Sequence, residues 1–207
     1  MVMKSKSGMS SAVALGFRAH SGWAVAVAVA GTPAKPVVLE RRRIDIADAA
    51  IPGSKQPYHA AASLDAGKAE TLIRRCRESS ASLAAGAIGV LAALLSEKHR
   101  LVGSGILFGS GRPLPELAAI LRSHALIHTA EGEFFREVLS SASERCSLPV
   151  KRFQEREVWD RAAGVFRLES KTLQDRIDTL GRSLGPPWRQ DEKLASLAAW
   201  IALAESA

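Results

Sequence analysis

The sequence predicts an α/β fold: one mixed five-stranded sheet, opened by a three-stranded antiparallel meander and flanked by helices. Three observations carry this. Residues 12–46 hold three β-rich runs, joined by a His20-Ser21-Gly22 corner and by a Pro-bounded loop at residues 32–36. Two further short apolar runs, at residues 101–108 and 148–153, stand alone between helical stretches. The remainder is rich in alanine, the best helix former, and repeats its apolar residues at helical spacing.

Taken in order, the first strand spans Ala12 to His20 and turns polar at Arg18 and His20. The second, Trp23 to Ala30, alternates Val25, Val27 and Val29 with Ala24, Ala26 and Ala28. Apolar residues on both faces predict a sheet covered on both sides. The third strand, Val37 to Ile46, is strongly charged in its second half, which suits an edge. Residues 48–62 read as an irregular connection punctuated by Pro52, Gly53 and Pro57, with Tyr58 pinning it to the body. A helix follows from an N-cap at Ser63 to about Ser96, with a bend expected in its serine-rich middle. The fourth strand, Leu101 to Phe108, leads into a Gly109-Ser110-Gly111-Arg112-Pro113 loop. Helices are predicted from Pro115 and over Thr129–Cys146, then a fifth strand at Leu148–Phe153. Two more helical segments, about 155–165 and 170–184, end at Gly185-Pro186-Pro187. A last helix, Pro187 to Ala204, carries Trp188 and Trp200, both expected in the core.

A chain of 207 residues buries a sizeable core, and residues 12–207 read as a single domain behind a flexible N-terminal segment, residues 1–11. Only 5% of residues are aromatic, and the mean hydropathy of +0.03 suits a soluble protein. The apolar runs near the N-terminus are too short, or too interrupted by Arg18 and His20, for a secretory leader or a membrane span. Cys76 and Cys146 belong to no paired motif, which fits a reducing compartment, so the expected location is the cytoplasm with no membrane partner. The net charge of +7 draws polyanions by a long-range, salt-sensitive attraction. Arg41-Arg42-Arg43 is the one tight basic cluster, and in a strand Arg41 and Arg43 share a face.

The stretch Leu15-Gly16-Phe17-Arg18-Ala19-His20-Ser21-Gly22-Trp23-Ala24-Val25, with Asp191-Glu192-Lys193-Leu194-Ala195-Ser196-Leu197-Ala198 near the end, resembles the ribonuclease H-like fold of RuvC-type resolvases. The order of elements resembles it over most of the chain. The resemblance implies a nucleic-acid partner, DNA or RNA, and carboxylates on strand one, strand four and the final helix that hold two divalent metals. The chain departs from that pattern. Arg18 stands where the strand-one acid belongs, strand four ends in Phe108-Gly109-Ser110-Gly111, and only Asp191 and Glu192 match. The degenerate acidic site therefore points away from nuclease cleavage. In that topology one cleft gathers Arg18, His20, Gly109, Gly111, Arg112 and Asp191, a set suited to an anion such as phosphate. The same set also allows an Arg18–Asp191 ion pair that closes the cleft.

A second constellation is His124, His128 and Glu131. Their spacing puts all three on one face of a continuous helix, as metal ligands would be, although a plain helix junction explains the histidines equally. No cofactor motif is present. Three functions stay open. The first is nucleic-acid binding on a ribonuclease H-like fold, with Arg18, Arg41, Arg43, Gly109, Gly111 and Arg112 contacting the anion. The second is noncanonical acid–base chemistry, or phosphate-ligand binding, in the same cleft, using His20, His59 or His128 with Asp191. The third is a non-catalytic scaffold for a protein partner.

Overall fold

In the computed structural model, which describes residues 11–206 apart from Ser110 and Arg112, the opening runs form β1 (Ser11–His20), β2 (Trp23–Thr32) and β3 (Lys35–Asp45). The two pairings are antiparallel, and His20 faces Trp23 across a two-residue turn. Gly22 takes φ +84° there, a conformation that L side chains rarely adopt. The expected N-terminal arm lies outside the described residues, apart from Ser11, which opens β1.

The later strands are β4 (His99–Phe108) and β5 (Val150–Gln154). Both are parallel to β1, and the five-stranded sheet has the order β3-β2-β1-β4-β5. The α/β fold with a leading meander is therefore present, and the charged strand β3 lies at an edge.

The helices are α1 (Pro57–Ala61), α2 (Ala66–Ser96), α3 (Leu117–Leu121), α4 (His124–Arg145), α5 (Val158–Phe166), α6 (Ser170–Leu180) and α7 (Gln190–Ala204). Several differ from the sequence expectation. The 48–62 connection contains α1. The N-cap of α2 is Asp65 rather than Ser63, because its carboxylate accepts the Lys68 N–H at 3.0 Å. The serine-rich middle of α2 is helical throughout. Ser80, Ala84, Ile88 and Leu91 there continue one buried stripe at helical spacing, so packing holds the ladder. Helix α4 begins at His124, not Thr129, capped by the Ser123 hydroxyl. Helix α7 begins after Trp188, whose indole N–H instead donates to the Ile177 carbonyl at 2.8 Å.

The strand alternation sorts the core into two layers. Val13, Leu15 and Phe17 of β1, with the alanines of β2, face α2 and α4. Val25, Val27 and Val29 face α7, which α5 and α6 cover in turn. Helix α2 is long and apolar enough to cross a membrane by length and composition. Its stripe from Ala69 to Leu95 packs on α4 and the sheet, while Leu83, Val90 and Leu94 are exposed on its other side.

Helix α7 lies unusually close to the sheet. A Cβ on Gly16 of β1 would meet the Ala195 carbonyl oxygen and, at 2.6 Å, the Ala199 nitrogen. A Cβ on Gly105 of β4 would meet the Ala198 carbonyl oxygen, and Phe153 at 2.8 Å. At the far end of the helix, the Trp200 indole donates to the Pro33 carbonyl at 3.1 Å and stacks on Phe166 at 3.8 Å. Gly16→Ala is expected to destabilise the fold by about 1–3 kcal/mol through overpacking. Gly86→Ala, with nothing within 4 Å of the added methyl, is expected to be neutral or stabilising by up to about 1 kcal/mol. Urea unfolding of the two variants checks this.

Candidate functional site at the carboxyl ends of the parallel strands

Ligand sites in open α/β sheets form beyond the carboxyl ends of the parallel strands. Here β1 ends in Arg18 and His20, β4 runs into Gly109, and β5 is followed at once by Glu155. Helix α7 brings the carboxylate of Asp191 to the same end, from its first turn.

Arg18 is the centre of this group. Its Nη1 donates to Asp191 Oδ1, and its Nη2 donates to Glu155 Oε1 at 2.8 Å. All three side chains are partly buried, so salt screens these pairs less than surface ones and loss of one partner leaves a charge shielded from water. His20 Nε2 lies 3.1 Å from Asp191 Oδ2. Burial, then the Arg18 guanidinium, push the His20 pKa below its ordinary value, and together they outweigh the opposing pull of Glu155. Arg18 Nη1 also stands 3.5 Å from His20 Nε2, so the tautomer decides whether that nitrogen donates to Asp191 or accepts from Arg18. The other charged neighbours of His20 are Arg43 and Arg136. The imidazole also stacks on Trp23, with centroids 4.1 Å apart, and the Arg43 guanidinium lies 4.1 Å from the centroid of the same indole.

Beside this cluster, Arg136 pairs with Glu133 at 3.2 Å. Gly109 passes over that pair, since a Cβ on it would come within 2.6 Å of Glu133 Oε1. Gly111 is exposed, with φ +65° and open space around it. Arg112 lies outside the described residues.

Arg41 and Arg43 occupy different surroundings. The Arg41 guanidinium donates to the carbonyls of Gly185, Pro186 and Pro187, so it ties β3 to the turn that precedes α7. Arg43 is exposed and pairs with Asp45 at 3.2 Å. Both line a groove of about 750 Å³ with Trp23, Arg42, Arg189 and Asp191.

The second constellation is rearranged. His124 and His128 do share one helical face, and His59 joins them from α1. Glu131 turns inward instead. Its Oε1 accepts the backbone N–H groups of Tyr58 and His59, at 2.8 and 3.0 Å, and lies 3.2 Å from His59 Nδ1. Burial raises its carboxyl pKa against those bonds. His59 and His128 are thus grouped with each other, while His20 is the histidine that reaches Asp191. His20, His59 and His128 line one cavity of about 200 Å³. Tyr58 pins the connection as expected, its ring edge-on to Phe134 at 6.2 Å.

Sequence reasoning missed Glu155 and the pairing of Arg136 with Glu133. The signal for Glu155 was its position, the first residue after a parallel strand.

No family model and no curated protein matches the chain. Among solved structures, it is similar to T. thermophilus RuvC in complex with a Holliday junction substrate, at 12% identity and a TM-score of 0.50, covering 93% of this chain and 91% of that one. A second Thermus thermophilus RuvC structure matches at 12% identity and a TM-score of 0.47, with 91% of each chain covered. At such identity the likeness is one of fold.

The lowered His20 pKa has a stability consequence. Near neutrality the unfolded chain holds a proton that folded His20 has released, so stability rises with pH through about 6.5 and falls on acidification. His20→Gln, which keeps an N–H donor without titrating, is expected to flatten that part of the rise. Urea midpoints of both proteins between about pH 5 and 8 measure the difference.

Proposed function

Starting from a ribonuclease H-like fold, we propose that this protein binds nucleic acid through the arginine-lined groove beside Asp191 and does not cut it by two-metal chemistry. The observation that carries the proposal is the placement of Arg18 between Asp191 and Glu155, next to that groove. Two divalent ions need carboxylates free to bind them. Here a guanidinium already engages both acids, and the end of β4 contributes Phe108 and Gly109 rather than an acid. The residues present do not fit that pair of ions, and no cleavage step is assigned.

The groove supports binding instead. Arg43 and Arg189 are exposed on it for phosphate contacts, and Trp23, its ring engaged by His20 and Arg43, forms part of the wall. The net charge of +7 adds long-range attraction, and the RuvC of similar fold was solved with a DNA junction. We infer a soluble, cytoplasmic protein with one domain over residues 12–207.

The 3.1 Å contact between His20 and Asp191 favours a second reading, acid–base chemistry in which neutral His20 takes a proton while Asp191 orients it. That reading requires turnover of a substrate that His20→Gln abolishes.

The primary test is binding to mixed single- and double-stranded nucleic acid at two salt concentrations, with and without Mg²⁺ or Mn²⁺, following both the shift and the strand length. The expected result is salt-sensitive binding with intact strands. Arg43→Ala and Arg189→Ala should each weaken it and reduce the salt slope by about 1. No binding at low salt, or metal-dependent shortening of the strands, overturns the proposal.

A further inference from the structure

Three of the five histidines in the chain meet at the surface where α1 packs on α4. His124 and His128 stand one turn apart at the start of α4, and His59 projects from α1. One ring nitrogen from each lies within 4.8 Å of the other two. The ring centroids are 4.4 to 5.7 Å apart, and the rings cross at 65° to 85°. An imidazole cluster of this kind, with ligand atoms converging from two helices, is an arrangement that a shared cation would stabilise.

The surroundings of His59 are the independent observation. The Glu131 side chain is only 5% exposed and is fixed by two backbone N–H groups. Its Oε1 stands 3.2 Å from His59 Nδ1. In the tautomer with its proton on Nδ1, His59 donates to that carboxylate and presents the lone pair of Nε2. A carboxylate behind the non-ligating nitrogen is the usual outer partner of a metal-bound histidine, fixing its tautomer and orientation. The other oxygen, Oε2, is buried with no hydrogen-bond partner among the described residues, so the carboxylate's contacts all run through Oε1 to α1 and His59.

We propose that His59, His124 and His128 form a binding site for one zinc-class transition-metal ion, with Glu131 as a positioning residue that orients His59. Imidazole nitrogens select zinc, cobalt, nickel or copper over magnesium and calcium, which take oxygen ligands. The site is thus chemically distinct from any carboxylate site at the end of β1. Metal–nitrogen bonds of about 2.0–2.1 Å require the three nitrogens to draw closer than they stand here. His124 and His128 are exposed, so their rings are free to turn inward while His59 stays held. Three protein nitrogens leave one tetrahedral position for water or an anionic oxygen. The cavity of about 200 Å³ lined by His59 and His128, which His20 and Ser21 also reach, has room for such a ligand. A bound ion would also clamp α1, and with it the connection from β3 to α2, onto α4.

The test uses tag-free, metal-stripped protein, titrated with Zn²⁺ by calorimetry and with Co²⁺ by visible absorption. The expected result is one ion per chain, the intense absorption of tetrahedral Co²⁺, and a Zn²⁺-dependent rise in melting temperature. His124→Ala and His128→Ala should each weaken Zn²⁺ binding by more than about 100-fold, beyond the 10–100-fold of a lost outer partner. Glu131→Gln should fall within that smaller range and keep the Co²⁺ spectrum. His99→Ala, on β4 away from the cluster, should bind as the unaltered protein does. Because His124 and His128 are exposed, their variants are expected to keep the native circular dichroism and remain interpretable. Absence of Zn²⁺ binding by the unaltered protein, or binding unchanged in a folded His124→Ala/His128→Ala double variant, overturns the proposal.

Discussion

The contact between α7 and the sheet is the constraint on which the rest of the structure depends. It is backbone against backbone, because Gly16 and Gly105 present no Cβ and the facing helix offers Ala195, Ala198 and Ala199. The same contact positions the charged end of the sheet. Gly16 and Arg18 are two residues apart, so they share a face of β1. Asp191 and Ala195 are four apart, so they share a face of α7. Docking Ala195 on Gly16 therefore delivers Asp191 to Arg18. The ion pair follows from the packing register, and any side chain that pushed the helix outward would separate the charges as well.

The charges at that end are arranged so that Asp191, Glu155 and Glu133 each have a cation to hand. Arg18 serves two carboxylates, Asp191 and Glu155, and Arg136 serves Glu133. Groups largely removed from water are costly unless paired, and the fivefold donor set of a guanidinium suits the task. The exposed basic side chains Arg43 and Arg189 are on the open groove. The protein thus separates its cations into those that close the end of the sheet and those that face solvent, within one turn of α7.

Much of the fold was legible because strand periodicity and helix periodicity are local. The valine–alanine alternation of β2 announced a sheet covered on both faces, and Gly22 marked the corner. Helix boundaries were less legible where a turn signal competed with packing. The helix expected to start at Thr129 begins at His124, because Ile127, Ala130, Phe134 and Phe135 continue one buried face. The Arg18–Asp191 pair was readable from topology. Glu155 was signalled only by its position directly after β5, since Glu157 and Asp160 are exposed acids of the same segment. The histidine cluster was half readable. His124 and His128 are related by helix spacing, whereas His59 arrives from a short helix inside a connection rich in Pro and Gly. Its approach is set by Tyr58 packing on Phe134 and by Glu131 caging the backbone, both contacts across more than seventy residues.

Among the described residues the outer strand β3 is unpaired along one side, and such an edge tends to recruit strands from other molecules. Lys35, Pro36, Glu40, Arg41, Arg42, Arg43 and Asp45 make this one a poor template, since charge and a missing N–H both oppose a sixth strand. The arginines that line the groove are therefore also guards against self-association. Exchanging them wholesale for apolar residues would remove both properties together. A polar, uncharged replacement at Arg43 alone separates a loss of ligand from a loss of solubility.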